Sequence, residues 1–121
     1  MKRESIFEPA VTVAEEILGS PSPPSAVFAA NDLEALGVME AARRSGLSVP
    51  GDLSVVGFDD SMYASASSPQ LTTVRQPFVQ MGEVAYQLLS DQMEGRDPAA
   101  VRVELAATLV IRESTATPRA L

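Results

Sequence analysis

The stretch Ala26-Val27-Phe28-Ala29-Ala30-Asn31-Asp32-Leu33-Glu34, continued to Leu53-Ser54-Val55-Val56-Gly57-Phe58-Asp59-Asp60, decides the fold. Its first five residues form a continuous apolar run, the pattern of a strand buried on both faces. Asn31 with Glu34 three positions on is the signature of a helix N-terminus, where side chains take up orphan backbone N–H groups. Gly46 supplies the residue that closes such a helix in a left-handed conformation. Pro50-Gly51-Asp52 turns the chain into a second apolar strand at 53–58. Residues 26–58 therefore read as one βαβ unit of the expected ~30 residues, with parallel strands and a right-handed crossover.

Working outward, Ile6, Ala10, Val13 and Ile17 lie on one stripe at helical spacing, with Glu8 and Glu15 opposite. They predict a helix over 6–18, with Pro9 in its first turn, ended by Gly19 and the prolines at 21, 23 and 24. Downstream, 59–70 is small and polar and reads as loop, and Leu71 to Arg75 as a third strand. Pro77 starts a helix to Glu94 whose one side carries Phe78, Met81, Ala85, Leu88, Leu89 and Met93. Its other side carries Gln80, Glu83, Gln87 and Asp91. Gly95-Arg96-Asp97-Pro98 breaks it. Val101, Val103 and Leu105 alternate with Arg102 and Glu104, Thr108 to Arg112 adds an apolar stretch, and a polar tail follows from Glu113. The apolar residues of the 31–46 helix (Leu33, Ala35, Leu36, Val38, Met39, Ala42) sweep over half its circumference, more than one packing face requires.

Composition narrows the chemistry. The 121 residues hold no Cys, His or Trp, and 9 Lys+Arg stand against 16 Asp+Glu. Triads and metal sites built on His or Cys are excluded. The net charge of −7, with Lys2 the sole lysine, argues against a phosphate-binding footprint within this chain. A chain of this length forms one domain that buries about two thirds of its unfolded surface. The longest apolar run is far short of a membrane span and no apolar stretch that could act as a signal peptide follows the charged start, so a cytoplasmic protein is expected.

In an open parallel sheet, ligands bind beyond the carboxyl ends of the strands. Asn31-Asp32 follows the first strand, Asp59-Asp60 the second, and Arg75-Gln76 the third if it is parallel and adjacent, with Phe78 next. That rim offers carboxylate and amide acceptors, an Arg and an aromatic, a mixture suited to a polyhydroxylated or amide-bearing small molecule. Structural readings stand beside the functional ones: Asn31 as helix cap, Asp59 and Asp60 as turn formers, Phe78 as core, and Arg75 as the partner of a rim carboxylate. An enzyme reading would use Asp32, Asp59 and Asp60 to hold Mg²⁺ for phosphoryl transfer, as in receiver domains. It is answered poorly, because no lysine follows Lys2 and neither a P-loop nor GxGxxG occurs. No catalytic residue, metal ligand or cofactor is assigned.

Three ordered strings carry a resemblance: Ala26 to Leu33 with Ala35-Leu36-Gly37, Val49-Pro50-Gly51-Asp52 through Asp60, and Pro69-Gln70-Leu71-Thr72-Thr73-Val74-Arg75-Gln76-Pro77. With Leu109-Val110-Ile111-Arg112-Glu113-Ser114-Thr115, the chain closely resembles the lactose and galactose repressor family of bacterial transcription regulators from about Ser25 to Thr115. The resemblance implies an α/β fold, a three-layer, parallel-sheet subdomain of the periplasmic-binding-protein type, here incomplete. Residues 1–76 and 99–115 would form the C-terminal subdomain, and the helix at 77–94 would pack on the N-terminal subdomain. It implies a sugar or nucleoside effector in the cleft. Asn31 and Asp59 would bind it, Phe78 would form an apolar wall, and Arg75 and Asp32 would be weaker contacts. Part of a dimer interface falls at Leu36, Met39, Ala64, Ser65, Ala66 and Ser67, which would use the surplus apolar face of the Asn31 helix. The family's helix-turn-helix, hinge and N-terminal subdomain have no counterpart here, so DNA would be contacted only through a region outside the chain. A repressor fragment or truncated gene product is expected, self-associating through the 77–94 helix; the contrasting reading is an interaction module that binds no ligand.

Overall fold

The computed structural model describes residues 6–97 and 102–120. The elements run α1 (Phe7–Leu18), β1 (Ala26–Phe28), α2 (Asp32–Arg44), β2 (Ser54–Val56), α3 (Met62–Ala66), β3 (Thr73–Arg75), α4 (Phe78–Met93) and β4 (Thr108–Val110). Val101 and Pro98, read above as strand and helix breaker, lie outside the described residues, as does the charged start. The described chain divides into two compact units: residues up to Arg75 together with those from Leu109 on, and those from Gln76 to Thr108.

In the first unit the βαβ reading holds. β1 and β2 pair in parallel, Val27 opposite Val55 and Phe28 opposite Val56, and a parallel bridge from Val56 to Thr72 sets the start of β3 beside β2. α2 begins at the expected cap, where Asn31 Oδ1 accepts the Glu34 N–H at 2.9 Å. It ends as Gly46 adopts φ +74° and the Leu47 N–H reaches the Ala42 carbonyl at 2.9 Å, satisfying carbonyls the helix would leave bare.

The core lies between α1, α2 and the strands, and includes Val11, Ala14 and Leu18 of α1, Ala35, Val38, Ala41 and Ala42 of α2, and Leu53, Val55 and Leu71. The two helices approach so closely that a Cβ on Gly37 would stand 2.8 Å from the Ala10 Cβ. Burying each Val or Leu here is worth about 1.5–3 kcal/mol.

Several expectations are corrected. The α1 face that packs is Val11, Ala14 and Leu18, whereas Val13 and Ile17 of the predicted stripe remain 55% and 45% exposed. They line an open groove of about 480 Å³ with Ala10, Val27 and Phe28. β1 is not buried on both faces: Phe28 is 68% exposed. Among the described strands β1 pairs only with β2, so one of its edges is open. The loop read at 59–70 contains α3, a five-residue helix anchored by the fully buried Ala64. The polar tail from Glu113 is stitched down: Ser114 is fully buried, its hydroxyl donating to the Val55 carbonyl and accepting the Thr72 N–H at 2.8 Å.

In the second unit α4 forms as read, and not one of its 16 residues is buried.

Candidate functional site

The parallel register of β1 and β2 delivers Asn31 and Asp59 to one rim, and the Asp32 N–H donates to the Phe58 carbonyl at 3.0 Å, tying the two strand ends together. β3 ends on the same rim, where the Asp59 N–H donates to the Val74 carbonyl at 2.9 Å. Asn31, Asp59, Asp60 and Arg75 are thus assembled from three segments of chain. Phe78 belongs to the second unit, at the head of α4, and is 54% exposed.

Asp32 lies inside this rim, a correction to its reading as a ligand contact. It is 2% exposed, and its carboxylate accepts the Ser61 N–H at 2.6 Å, the Ser61 hydroxyl at 2.7 Å and the Thr73 hydroxyl at 2.6 Å. With that many donors satisfied internally, the side chain organises the turn beneath the rim. Gly57 is required beside it, because a Cβ there would collide with Asp32 Oδ1 and the Leu71 side chain.

The Asp59-Asp60 turn is held in an unusual backbone conformation. Asp59 has φ +103° and Asp60 φ +51°, a region that costs a non-glycine residue roughly 1–3 kcal/mol and persists only where its surroundings over-determine it. The Asp60 N–H donates to the Thr73 hydroxyl at 3.3 Å. The Asp60 carboxylate bridges two cations, Arg75 Nε at 2.7 Å and an Arg112 terminal nitrogen at 2.7 Å. Burial pushes the Asp60 carboxyl up, but the hydrogen bonds and charges of Arg112 and then Arg75 outweigh it and leave the group below its ordinary value. Arg75 therefore fills the structural reading made for it, as partner of a rim carboxylate. Arg112 and Ser61, which sequence reasoning missed, belong to the same network. Arg112 stands in the Leu109–Thr115 string that carries the resemblance, but nothing local in the sequence pairs it with Asp60, 52 residues away.

A family model described as a periplasmic binding protein-like domain matches residues 3–115. The chain belongs to that family. It is 40% identical over 109 residues to the HTH-type transcriptional repressor CytR of Escherichia coli (strain K12), an alignment covering 90% of this chain and 32% of that protein. Among solved structures it is similar to the complex of the transcriptional regulator CelR with cellobiose, with 39% identity and a TM-score of 0.81 over 89% of this chain and 33% of that one. A dimeric Lac repressor with an 11-residue C-terminal deletion gives 34% identity and a TM-score of 0.84, over 93% of this chain and 41% of that one. The motif resemblance to the lactose and galactose repressors is thereby matched by overall sequence and fold. The chain spans about a third of the length of the curated relatives it matches.

This periplasmic-binding-protein-like domain carries a second feature on α2, away from the rim. Leu36 and Met39 are half-buried and, with Leu47, Val49, Ser67 and Pro69, line a shallow hollow of about 380 Å³. Ser65 and Ala66 are exposed beside it, whereas Ala64 is fully buried within the subunit, which corrects its assignment to an interface. The flanking Glu40 accepts from Arg43 and Arg44 at 2.8–2.9 Å, and those hydrogen bonds lower its pKa to about 2. Among the described residues no helix is long and apolar enough to cross a membrane, and no group of three or more Asp or Glu is placed to hold a metal ion.

Proposed function

We propose that the chain is the effector-sensing and dimerisation part of a bacterial transcription repressor, forming one wall of a site for a sugar or nucleoside. The observation that carries this reading is the juxtaposition of Asn31 and Asp59 at the carboxyl ends of adjacent parallel strands in a chain of this family. Such a rim places an amide and a carboxylate where they hydrogen-bond ligand hydroxyls or ring nitrogens, and charge-assisted bonds of that kind are the stronger ones. CelR, solved in complex with cellobiose, supports a sugar-like ligand class. Phe78 is assigned to the effector by the motif resemblance alone. The hollow beside Leu36 and Met39 supports the dimerisation role. The protein works in the cytoplasm and performs no catalysis. Its acidic charge leaves DNA contact to a region outside these 121 residues.

Isothermal calorimetry of the chain against a panel of mono- and disaccharides and nucleosides tests the reading. Saturable heat that Asp59→Ala abolishes is the expected result. A panel with no saturable heat favours the second reading, an interaction module that senses nothing, which the wholly unburied α4 supports.

A further inference from the structure

The Asp59-Asp60 turn is the one place on the rim where two consecutive non-glycine residues sit at positive φ. Backbone N–H bonds from Asp59 to the Val74 carbonyl and from Asp60 to the Thr73 hydroxyl secure part of the turn, and a side-chain grip on Asp60 comes from farther away. Arg112 lies 52 residues downstream of Asp60 and donates from one terminal nitrogen to Asp60 Oδ1 at 2.7 Å and from the other to the Leu71 carbonyl at 3.0 Å. Its own backbone N–H donates to the Thr72 hydroxyl at 3.0 Å. The guanidinium is thus a rigid fork with one prong on the turn and the other on the segment leading into β3.

Arg75 also reaches Asp60, but the two cations are not equivalent. The Arg75 side chain is 57% exposed and that of Arg112 15%. Solvent screens the first contact far more than the second, and an exposed ion pair contributes little. The base of Arg112 is anchored as well. The Glu113 N–H donates to the Gln70 carbonyl at 2.9 Å, and Ser114 exchanges hydrogen bonds with Val55 and Thr72 across the sheet. Arg112 therefore projects from a fixed segment onto the turn.

We propose that Arg112 is the positioning residue of the rim: by clamping Asp60 it holds the preceding Asp59 in its left-handed conformation and so fixes the backbone from which the Asp59 side chain leaves. A planar five-donor fork can grip a carboxylate and a carbonyl together, whereas a lysine at 112 supplies charge without the second prong. The role in effector binding rests on the reading of Asp59 given above; the conformational role does not.

Backbone amide hydrogen exchange of the whole chain, followed by NMR without any ligand, tests the proposal. In Arg112→Met the amides of Asp59, Asp60 and Ser61 are expected to exchange at least tenfold faster, while those of Ala29 and Leu47, which are hydrogen-bonded elsewhere in the same unit, change less than twofold. Arg112→Lys is expected to restore part of the protection. Unchanged exchange at 59–61, or a uniform rise that includes Ala29 and Leu47, overturns the proposal, the latter because Arg112 would then serve only global stability. Should Arg112→Met fail to fold, Asp60→Asn, which keeps the volume of the acceptor and removes its charge, is expected to give the same local pattern. Failure of both variants to fold sinks the positioning role. Because no ligand enters the experiment, a blank calorimetric panel would count against the effector reading alone.

Discussion

The Thr73 hydroxyl donates to Asp32 Oδ1 at 2.6 Å across 41 residues of chain, with both residues at or below 2% exposure. It joins the start of α2 to the start of β3 beneath the rim. Threonine and valine are nearly isosteric, so Thr73→Val removes the hydroxyl and almost nothing else. A buried hydrogen bond to a carboxylate is worth about 1.5–3 kcal/mol, while the methyl lost in Thr73→Ser is worth about 0.8 kcal/mol. Urea denaturation is expected to rank serine above valine at this position, against their hydrophobicity. The reverse order would mean that packing, not the hydroxyl, holds Thr73 in place.

Gly57 occupies the crossing of β2 with this network. A Cβ there would overlap Asp32 Oδ1 and stand 2.8 Å from Leu71 Cδ2. Neither neighbour can retreat cheaply, since Asp32 and Leu71 are both buried. Gly57→Ala is expected to destabilise the chain by about 1–3 kcal/mol, the usual cost of overpacking. A gain in the denaturation midpoint, as expected where alanine merely stiffens the unfolded chain, would contradict the close approach.

Much of this arrangement was legible in the sequence, and the boundary of legibility is physical. The βαβ unit, the Asn31 cap and the Gly46 terminus were readable because apolar runs and capping chemistry act over a few residues. The rim location of Asn31 and Asp59 followed from strand direction alone. What was not legible depends on neighbours distant in sequence. Asp32 and Asp59 look alike as rim carboxylates, and only Ser61 and Thr73 converging on Asp32 separate a buried strut from a rim group. Ser114 looks like polar tail because hydropathy cannot see that its hydroxyl is satisfied inside the sheet. On α1 a second apolar stripe, Val11, Ala14 and Leu18, turns into the core, and only the tertiary contact, with Ala10 passing close to Gly37, shows which way the helix faces.

The Asp60 ion pairs have a definite pH signature. The carboxyl is held below its ordinary value of 3.8 in the folded chain. Its contribution to stability is therefore fully present above that ordinary value and is lost as the pH falls from there through the lowered folded value. Between pH 5 and 7 it is constant. Thermal unfolding of the wild type and Asp60→Asn is expected to show a difference in Tm that is flat from pH 7 to 5 and shrinks below about 4. A difference that widens on acidification would reverse the sign of the linkage and contradict the Arg112 and Arg75 contacts.

The helix α4 presents an apolar side that the described residues do not bury. Phe78, Met81, Leu89 and Met93 on its apolar side are 54%, 40%, 57% and 80% exposed, and none of its residues is buried. Covering a large apolar side chain is worth about 1.5–3 kcal/mol, so four of them supply a strong drive for association, although ordering and lost rigid-body freedom offset much of it. Light scattering across a dilution series is expected to show a dimer or larger species at micromolar concentration that dissociates on dilution. Leu89→Glu places a charge in the centre of the stripe, where burial without a partner is prohibitive, and is expected to shift the chain to monomer. Because Leu89 contributes nothing to the α1–α2 core, this variant is expected to keep the unfolding midpoint of the first unit at matched monomer concentration. A wild-type chain that stays monomeric and folded at every concentration would leave the stripe uncovered and defeat the prediction; an associated wild type unmoved by Leu89→Glu would place the contact on another surface, of which the hollow at Leu36 and Met39 is the first to mutate.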